Sequence, residues 1–444
     1  MNLYQTYRTG GSPFALWLGA FLLMGSVFAS PIQAQSQTDG SIYSRFGVGL
    51  RQNFSSSRSQ AMGGGGLALP SSQYLNTSNP ASYSDQYLTR FAGGLTYEKI
   101  TASASGAESA TLASGSLSGV NFGFPLKTNV TGIGVSFAPY SRVSYRVDVE
   151  SAVDFDPELG SVSPYLTTFR GNGGLQNLSA GIGHRLNSNV FLGASVNFIF
   201  GILEEAQTSV FNSTEFTDRS VVGSTRLSGL SATAGFRYVV PNLPSSQGLV
   251  IAGTVHLPTT LKATRTRALV NKLDRDTLGT TLHGDVKLPF GFGFGVAYQP
   301  VAKWTLVGDV EFENWSSFES DLDFPGYSSS GNSNTTNRLR ISAGTEFWPA
   351  ARRPFATWSQ RIAYRLGLYT EQSYISPLPD QKIGAFGVTG GISVPSLIPG
   401  TTIDFNLDVG QRGKSSNGLI QDRYVRFGLN LNFGERWFDR PPLG

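Results

Sequence analysis

The feature that most constrains this chain is an alternation of apolar and polar residues with a period of two, sustained over segments of about 10–13 residues. In Lys303–Glu313, one face carries Trp304, Leu306, Gly308, Val310 and Phe312. The other carries Lys303, Thr305, Val307, Asp309, Glu311 and Glu313. Thr402–Gly410 sets Ile403, Phe405, Leu407 and Val409 against Asp404, Asn406 and Asp408. Arg338–Phe347 sets Leu339, Ile341 and Phe347 against Arg338, Arg340 and Glu346. Tyr424–Phe433 sets Val425, Phe427, Leu429, Leu431 and Phe433 against Arg426, Asn430 and Asn432. Side chains alternate faces on a strand, so these segments are strands with one apolar face. Ordinary strands run ~5–6 residues, whereas a strand crossing a bilayer at ~45° needs ~9–11. The segments match the second length. Trp304 and Trp315 bracket one of them, and their spacing corresponds to ~25 Å along the membrane normal, the height of the band between aromatic girdles. Trp315 is out of phase with Trp304 and is expected just past the strand.

Composition removes the competing classes. Of 444 residues, 53 are Gly, 53 are aromatic (30 Phe, 17 Tyr, 6 Trp) and only 14% are charged, against ~25% in a soluble domain. Disordered chains are highly charged and poor in aromatics, so disorder is excluded. There is no Cys, which excludes disulfides and cysteine-ligated metal. A net charge of +4, scattered along the chain, makes no nucleic-acid footprint.

The N-terminus reads as an export signal occupying residues 1–34. Arg8 precedes an apolar run from Phe14 to Phe28, too short for a spanning helix, and the small residues Ala29 and Ala34 follow. No later apolar stretch is long enough for a transmembrane helix. Strands are expected at 88–98, 115–125, 130–140, 173–186, 189–203, 223–239, 248–268, 281–298, 303–313, 336–347, 360–371, 382–394, 401–411 and 421–433. They are fourteen in number. Short connections (127–129, 187–188, 299–302) alternate with long ones (141–172, 204–222, 314–335, 412–420), the pattern of outer-membrane barrels. The fold class is therefore all-β: a transmembrane antiparallel β-barrel of about 14 strands over 88–433, in a bacterial outer membrane, with a C-terminal periplasmic extension over 434–444.

Residues 35–87 do not alternate and are rich in Gly, Ser and Asn, with Phe46, Met62, Leu67, Leu69 and Tyr74 available to bury. Several expected inward faces are stripped of side chain: Gly291, Gly293 and Gly295; Gly132, Gly134, Ser136 and Ala138; Gly119, Asn121 and Gly123. Glycine in a strand marks close approach by another backbone or a ligand. The glycine-lined wall and the non-alternating segment together predict a hatch over 35–87 that folds back into the lumen.

Arg58…Met62-Gly63-Gly64…Ala68…Asn79-Pro80-Ala81 ahead of the first strand resembles the hatch of the long-chain fatty acid transporter (FadL) family. Leu288-Pro289…Gly295…Lys303-Trp304…Asp309…Trp315…Phe318, Arg338-Leu-Arg…Gly344, Tyr364-Arg-Leu-Gly…Tyr369 and the ending Leu429–Phe438 are similar to later parts of that family. The resemblance spans most of residues 41–438. It implies a monomeric barrel with a plugged lumen, capture of a hydrophobic small molecule near the extracellular end, and lateral release through a kink in strand 3. Gly132, Gly134 and Pro139 are the candidate kink residues. Outer-membrane lipids and the barrel-assembly machinery are the expected partners besides the ligand.

No chemistry is expected, and no cofactor or metal. The Gly63–Gly66 run is followed by Leu-Ala-Leu-Pro, not Lys-Ser/Thr, so it is no phosphate loop. Gly291-x-Gly-x-Gly opens no helix. Of three histidines, His184 is expected at a periplasmic strand end, and His256 and His283 inward. No Gly-x-Ser-x-Gly elbow occurs, so a hydrolase has no nucleophile site. The expected inward charges are Asp309, Glu311, Glu313, Arg338, Arg340, Glu346, Arg365, Asp404, Asp408 and Arg426. They either tether the hatch or, at an Arg near the extracellular end, bind a ligand carboxylate. The function read from the sequence is outer-membrane passage of hydrophobic small molecules, fatty acids or hydrocarbons. A non-transporting scaffold for a secretion or surface-protein system and a general porin are the alternatives.

Overall fold

The computed structural model describes residues 40–437 apart from 107, 157–160, 212–216, 242–247, 271–274, 330–334, 352, 354–355, 379–380, 399 and 417. The expected signal peptide and Phe438–Gly444 lie outside the described residues. Fourteen antiparallel strands close into a barrel. They are β1 (Thr89–Ala104), β2 (Ala110–Lys127), β3 (Thr131–Pro139 resuming as Ser141–Asp156), β4 (Ser161–Arg185), β5 (Val190–Phe211) and β6 (Arg219–Val240). Next come β7 (Gly248–His256 and Thr259–Val270), β8 (Leu282–Leu288 and Gly291–Val301), β9 (Trp304–Glu313), β10 (Arg338–Phe347) and β11 (Ala363–Gln372). The last are β12 (Gly384–Pro395), β13 (Thr402–Arg412) and β14 (Ile420–Glu435). β14 returns to β1, pairing from Thr89↔Glu435 to Ala104↔Ile420, and this closes the cylinder. Closing the sheet satisfies most backbone donors by strand pairing, as crossing a bilayer with strands requires.

The alternation sorts the side chains as its period demands. Leu95, Phe294, Leu306, Ile341, Leu366, Val388, Leu407 and Phe427 stand exposed on the outer surface. Their neighbours Asp309, Arg340, Arg365, Asp404 and Asn430 are buried inside. A continuous exposed apolar belt on a closed barrel is a lipid-facing surface. The protein is an outer-membrane β-barrel.

Two stretches expected as long loops are strand. β3 resumes at Ser141 and pairs with β4 from Val143↔Gly173 to Asp156↔Ser161. β5 and β6 pair up to Ser209↔Arg219. These upper halves stand beyond the apolar belt, so their outward residues, such as Arg146, Asp148 and Glu150, face water and need not be apolar. A search for a lipid-facing face passes over them for that reason. β14 likewise continues past Phe433 to Glu435. His283 points outward, against the inward expectation: it pairs with Thr264 through Nδ1 at 3.2 Å on the exposed face, while Val286 and Leu288 occupy the inside. Trp315 follows β9 in a short 3-10 turn, Trp315–Ser317, but it is no girdle residue. It is fully buried and stacks on Tyr374 with ring centroids 4.0 Å apart.

Candidate functional site

The lumen is the candidate site, and residues 40–86 pack against the inner face of its wall. Their local structure is set by caps. Ser56 accepts from Ser59 N–H ahead of the helical turn Ser57–Gln60, and Asn79 accepts from Ala81 N–H with Pro80 in the first position of the 3-10 turn Pro80–Asp85. Gly63 (φ +74°) and Gly64 (φ +81°) turn the chain in the left-handed region that side-chain-bearing residues rarely enter. Between these turns Met62, Ala68, Asn79, Ala81 and Ser82 have no exposed surface.

Glycines make the room. A Cβ at Gly134 would lie 2.6 Å from the Tyr83 ring, and one at Gly132 would strike the Tyr83 carbonyl. At Gly293 and Gly295 it would lie 2.8 Å from Leu67, and at Gly344 2.5 Å from Met62. At Gly183, Gly193 and Gly235 it would meet Pro80 or Asn79, at Gly367 Met62 and Gly63, and at Gly391 Ala61. The segment's backbone therefore approaches the wall most closely where the wall has no side chains. Gly291 does not belong to this belt. Its neighbours are Phe312 and Glu313 of the adjacent strand and His256.

Charges tie the segment down. Arg58 forks onto Glu346 (Nε–Oε2 2.9 Å, Nη2–Oε1 2.5 Å). Arg365 donates to the same carboxylate at 2.7 Å and to the Tyr74 hydroxyl at 3.0 Å. Tyr74 and Ser57 donate to Asp404 at 3.1 and 2.5 Å. Arg340 donates to Gly63 O at 2.8 Å and to Glu371 at 2.7 Å. Asp309 accepts from the N–H groups of Gly66 and Leu67. Asn79 donates to Leu67 O and Phe236 O, both at 3.1 Å. Higher up, Arg51 forks onto Glu313, which also accepts from Arg338 at 3.2 Å and Trp315 Nε1 at 2.6 Å. Arg426 joins Glu98 (2.7 Å) and Asp408 (3.1 Å) within the wall. Glu311 lies 3.8 Å from Arg338. The inward charges named from the sequence all face the lumen, and most of them contact the segment.

Sequence reasoning missed several members. Arg237 pairs with Asp85 and donates to Ala68 O at 3.2 Å. Burial pushes the Asp85 carboxyl up, and the Arg237 guanidinium opposes that rise. Glu371 bridges Arg338 and Arg340. An apolar cluster at the long-loop end joins Val48, Val143, Tyr145, Leu175, Trp315 and Tyr374. No local signal marks these pairings, because the partners are brought together only by barrel closure.

β3 breaks at Tyr140, not at Gly132 or Gly134. Thr131–Pro139 pairs in unbroken register with His184–Gln176, so both glycines sit in regular sheet. Only Pro139, at the edge of the break, keeps a place in it. β2 and β3 pair from Lys127↔Thr131 to Val120↔Phe137 and, among the described residues, no further. Above that point the wall has a seam. Its lower end is filled by the segment's own short strand, Leu50↔Arg142 and Arg51↔Ser141. Phe54 packs there against Gly119, whose Cβ would come 2.5 Å from its ring. Two cavities flank Phe54: one of about 190 Å³ walled by Ser136, Ser179, Asn197, Thr233, Thr254 and Glu311, and one of about 140 Å³ walled by Glu98, Ser118, Arg142, Asp408 and Arg426. Both walls are mixed, and apolar residues such as Leu67, Ile199, Leu288 and Phe292 line the larger cavity as well.

A family model described as BamG matches residues 19–442. The chain belongs to the BamG family. Among solved structures, the barrel of this BamG-family protein is similar to the CymD monoaromatic hydrocarbon channel, with a TM-score of 0.55 at 13% identity over 87% of this chain and 99% of that one. A Pseudomonas aeruginosa FadL homologue gives a TM-score of 0.55 at 11% identity, over 86% and 99%. The Ralstonia pickettii toluene transporter TbuX gives 0.53 at 15% identity, over 86% and 99%. At these identities the likeness is one of fold, and it is the fold of the FadL-type barrels that the sequence motifs resemble. No curated protein matches the sequence.

Proposed function

We propose that the barrel passes small hydrophobic molecules across the outer membrane, with residues 41–87 acting as a hatch and the seam between β2 and β3 as the side exit. The observation that carries this reading is the seam itself. Pairing between β2 and β3 stops at Val120↔Phe137, and residues of the hatch rather than a barrel strand stand against β3 beyond it, among them Ser44, Leu50, Arg51 and Gln52, with Phe54 against Gly119. A hydrophobic solute gains ~25 cal/mol for each Å² it removes from water, so an exit sideways into lipid spares it the aqueous route. The fold shared with CymD and TbuX, named for monoaromatic hydrocarbons and toluene, supports the same class.

The test is flux of a monoaromatic hydrocarbon into lipid by the reconstituted protein, alongside Phe54→Ala and a deletion of 41–81. Phe54→Ala is expected to raise flux. The deletion is expected to leave a folded barrel that conducts ions. A deleted barrel with unchanged conductance refutes the hatch, and flux no faster than protein-free vesicles refutes transport.

A second reading is a scaffold associated with barrel assembly. The family name BamG points to it, and so does the dense anchoring of the hatch, which suits a closed body better than a conduit. Copurification within a barrel-assembly complex, with no hydrophobic molecule retained on mass spectrometry, separates this reading from transport. A general porin is disfavoured by the filled lumen.

A further inference from the structure

We propose that the short-turn rim of the barrel selects anionic phospholipid of the periplasmic leaflet, most strongly at the connection between β10 and β11. The inference rests on neither reading above, because it concerns the seat of the barrel in the membrane and not its lumen. Any barrel is bathed in lipid; what this rim adds is a choice of headgroup. Short turns mark the periplasmic end of an outer-membrane barrel. The connections at that end, taken with their flanking strand residues, are 127–131, 185–190, 240–248, 301–304, 347–363 and 395–402, and they contain no Asp or Glu. Among the described residues they carry Lys127, Arg185, Lys303, Arg353 and Arg361, and none of these five closes a salt bridge there. Asp85, whose field reaches Arg185, is held by Arg237. At the end of β14 the chain adds one charge of each sign, Glu435 and Arg436. The opposite end of the barrel is acidic, and the connection after β9 alone holds Glu319, Asp321 and Asp323. Cations gathered at one end without counter-charges complement an anionic surface.

Aromatic residues set the depth of these cations. Five tryptophans follow residue 34. Trp304, Trp348, Trp358 and Trp437 stand at this rim, and Trp315 is fully buried at the other end. Amphipathic rings settle at the level of lipid headgroups. Trp304 is exposed on the lipid side, packs on Phe347 with ring centroids 4.7 Å apart, and directly follows Lys303. The β10–β11 connection, the longest at this end, is folded onto that point. Trp348 N–H donates to Lys303 O at 2.8 Å, and the Trp348 indole donates to Arg361 O at 3.2 Å. Ala350 N–H donates to Gln360 O at 2.7 Å, and Arg361 Nε to Ala356 O at 3.1 Å. Trp358 Nε1 donates to Pro395 O at 3.3 Å, which sets the loop beside the β12–β13 turn and its exposed Leu397. Lys303, Arg353 and Arg361 are thus exposed on a loop whose aromatic residues reach the membrane surface. Long cationic side chains lay their stems on apolar surface and reach a phosphate with their heads. The cations are spread over the β2–β3, β4–β5, β8–β9 and β10–β11 connections, whereas an acidic protein would meet a single patch. A leaflet meets the rim on every side.

The tryptophans serve as reporters in the test. The protein is reconstituted in vesicles of phosphatidylcholine and phosphatidylglycerol, with one or the other lipid brominated, and quenching of tryptophan fluorescence is measured. Trp315, sealed in the apolar cluster, supplies an unquenched remainder. Brominated phosphatidylglycerol is expected to quench beyond its share of the lipid. That preference is expected to fall about fivefold for each cation removed, so K303Q/R353Q/R361Q loses most of it, and salt at ~1 M, which screens charges beyond ~3 Å, lowers it in the unaltered protein. Quenching by brominated phosphatidylcholine, equal in parent and variant, shows that the tryptophans have not moved. If the loop rearranges without Arg361, K127Q/K303Q removes two exposed side chains outside it and gives the same comparison. Three results overturn the proposal: quenching in proportion to lipid content; a preference that survives both charge removal and salt; or no lipid preference together with binding of polyglutamate that the same substitutions abolish, which assigns the rim to an acidic protein.

Discussion

Glu346→Ala is the most informative perturbation of this barrel, because one carboxylate holds two buried cations from different parts of the chain. Arg58 reaches it from the N-terminal segment at 2.5 and 2.9 Å, and Arg365 from β11 at 2.7 Å. Both guanidiniums are nearly inaccessible, with side-chain exposures of 8% and 1%. Removing Glu346 leaves Arg365 its contacts with Asp404 (3.7 Å) and Tyr74, but strips Arg58 of its charge partner. Breaking a buried pair in this way costs about 3–5 kcal/mol. The wall does not bear that cost, since β10 and β11 stay paired through their backbones from Leu339↔Gln372 to Phe347↔Tyr364. It falls on the N-terminal segment, whose stranded Arg58 regains water if the segment leaves the wall. At about 1.4 kcal/mol per factor of ten, the open population rises on the order of 10²- to 4 × 10³-fold. The assay is trypsin cleavage after Arg58 in the folded, detergent-solubilised barrel, with heat-modifiable gel migration as the control for barrel closure. Cleavage is expected to accelerate by that factor with migration unchanged. The double variant with Arg58→Ala lacks the cleavage site and is read instead by ion leakage in planar bilayers; it is expected to leak less than Glu346→Ala, since it removes the stranded cation. Unchanged cleavage in Glu346→Ala, or loss of the barrel together with the hatch, refutes the claim that this cluster holds the segment independently of the wall.

Further predictions follow from the same geometry. Gly367→Val sets a side chain against the backbone of Met62 and Gly63 and is expected to displace the N-terminal segment, read as ion leakage in planar bilayers. Gly308→Val, whose added Cβ has its nearest neighbour at 4.0 Å, is expected to leave conductance unchanged. Trp315→Ala removes a fully buried ring stacked at 4.0 Å on Tyr374 and is expected to cost about 3–5 kcal/mol within the apolar cluster, read as faster exchange of the loop amides over 315–324. Phe294→Arg, on the lipid-facing side of β8, is expected to destabilise the barrel by about 2–4 kcal/mol in bilayer refolding titrations. Lys262→Ala, at a mostly exposed ion pair with Asp285 beyond the belt, is expected to change stability by less than about 1 kcal/mol in the same assay.

Alternation with a period of two, sustained long enough to cross a bilayer, made the barrel, its fourteen strands and its lipid-facing set legible from residue order alone. Both faces of a strand are written locally, one residue to the next, and lipid demands an apolar answer at each outward position. Where that demand lapses, as at Arg146–Glu150 above the belt, the sequence read as loop and the structure is strand. The bare glycines at 132, 134, 293 and 295 announced an approaching backbone. Tertiary structure alone decided which backbone met which glycine, that β3 breaks at Tyr140, and that Asp85, Glu371 and Trp315 are interior partners. Those contacts join residues up to several hundred positions apart across a closed cylinder, such as Ser57 with Asp404. No local pattern encodes a pairing that exists only once the sheet has curled round and shut.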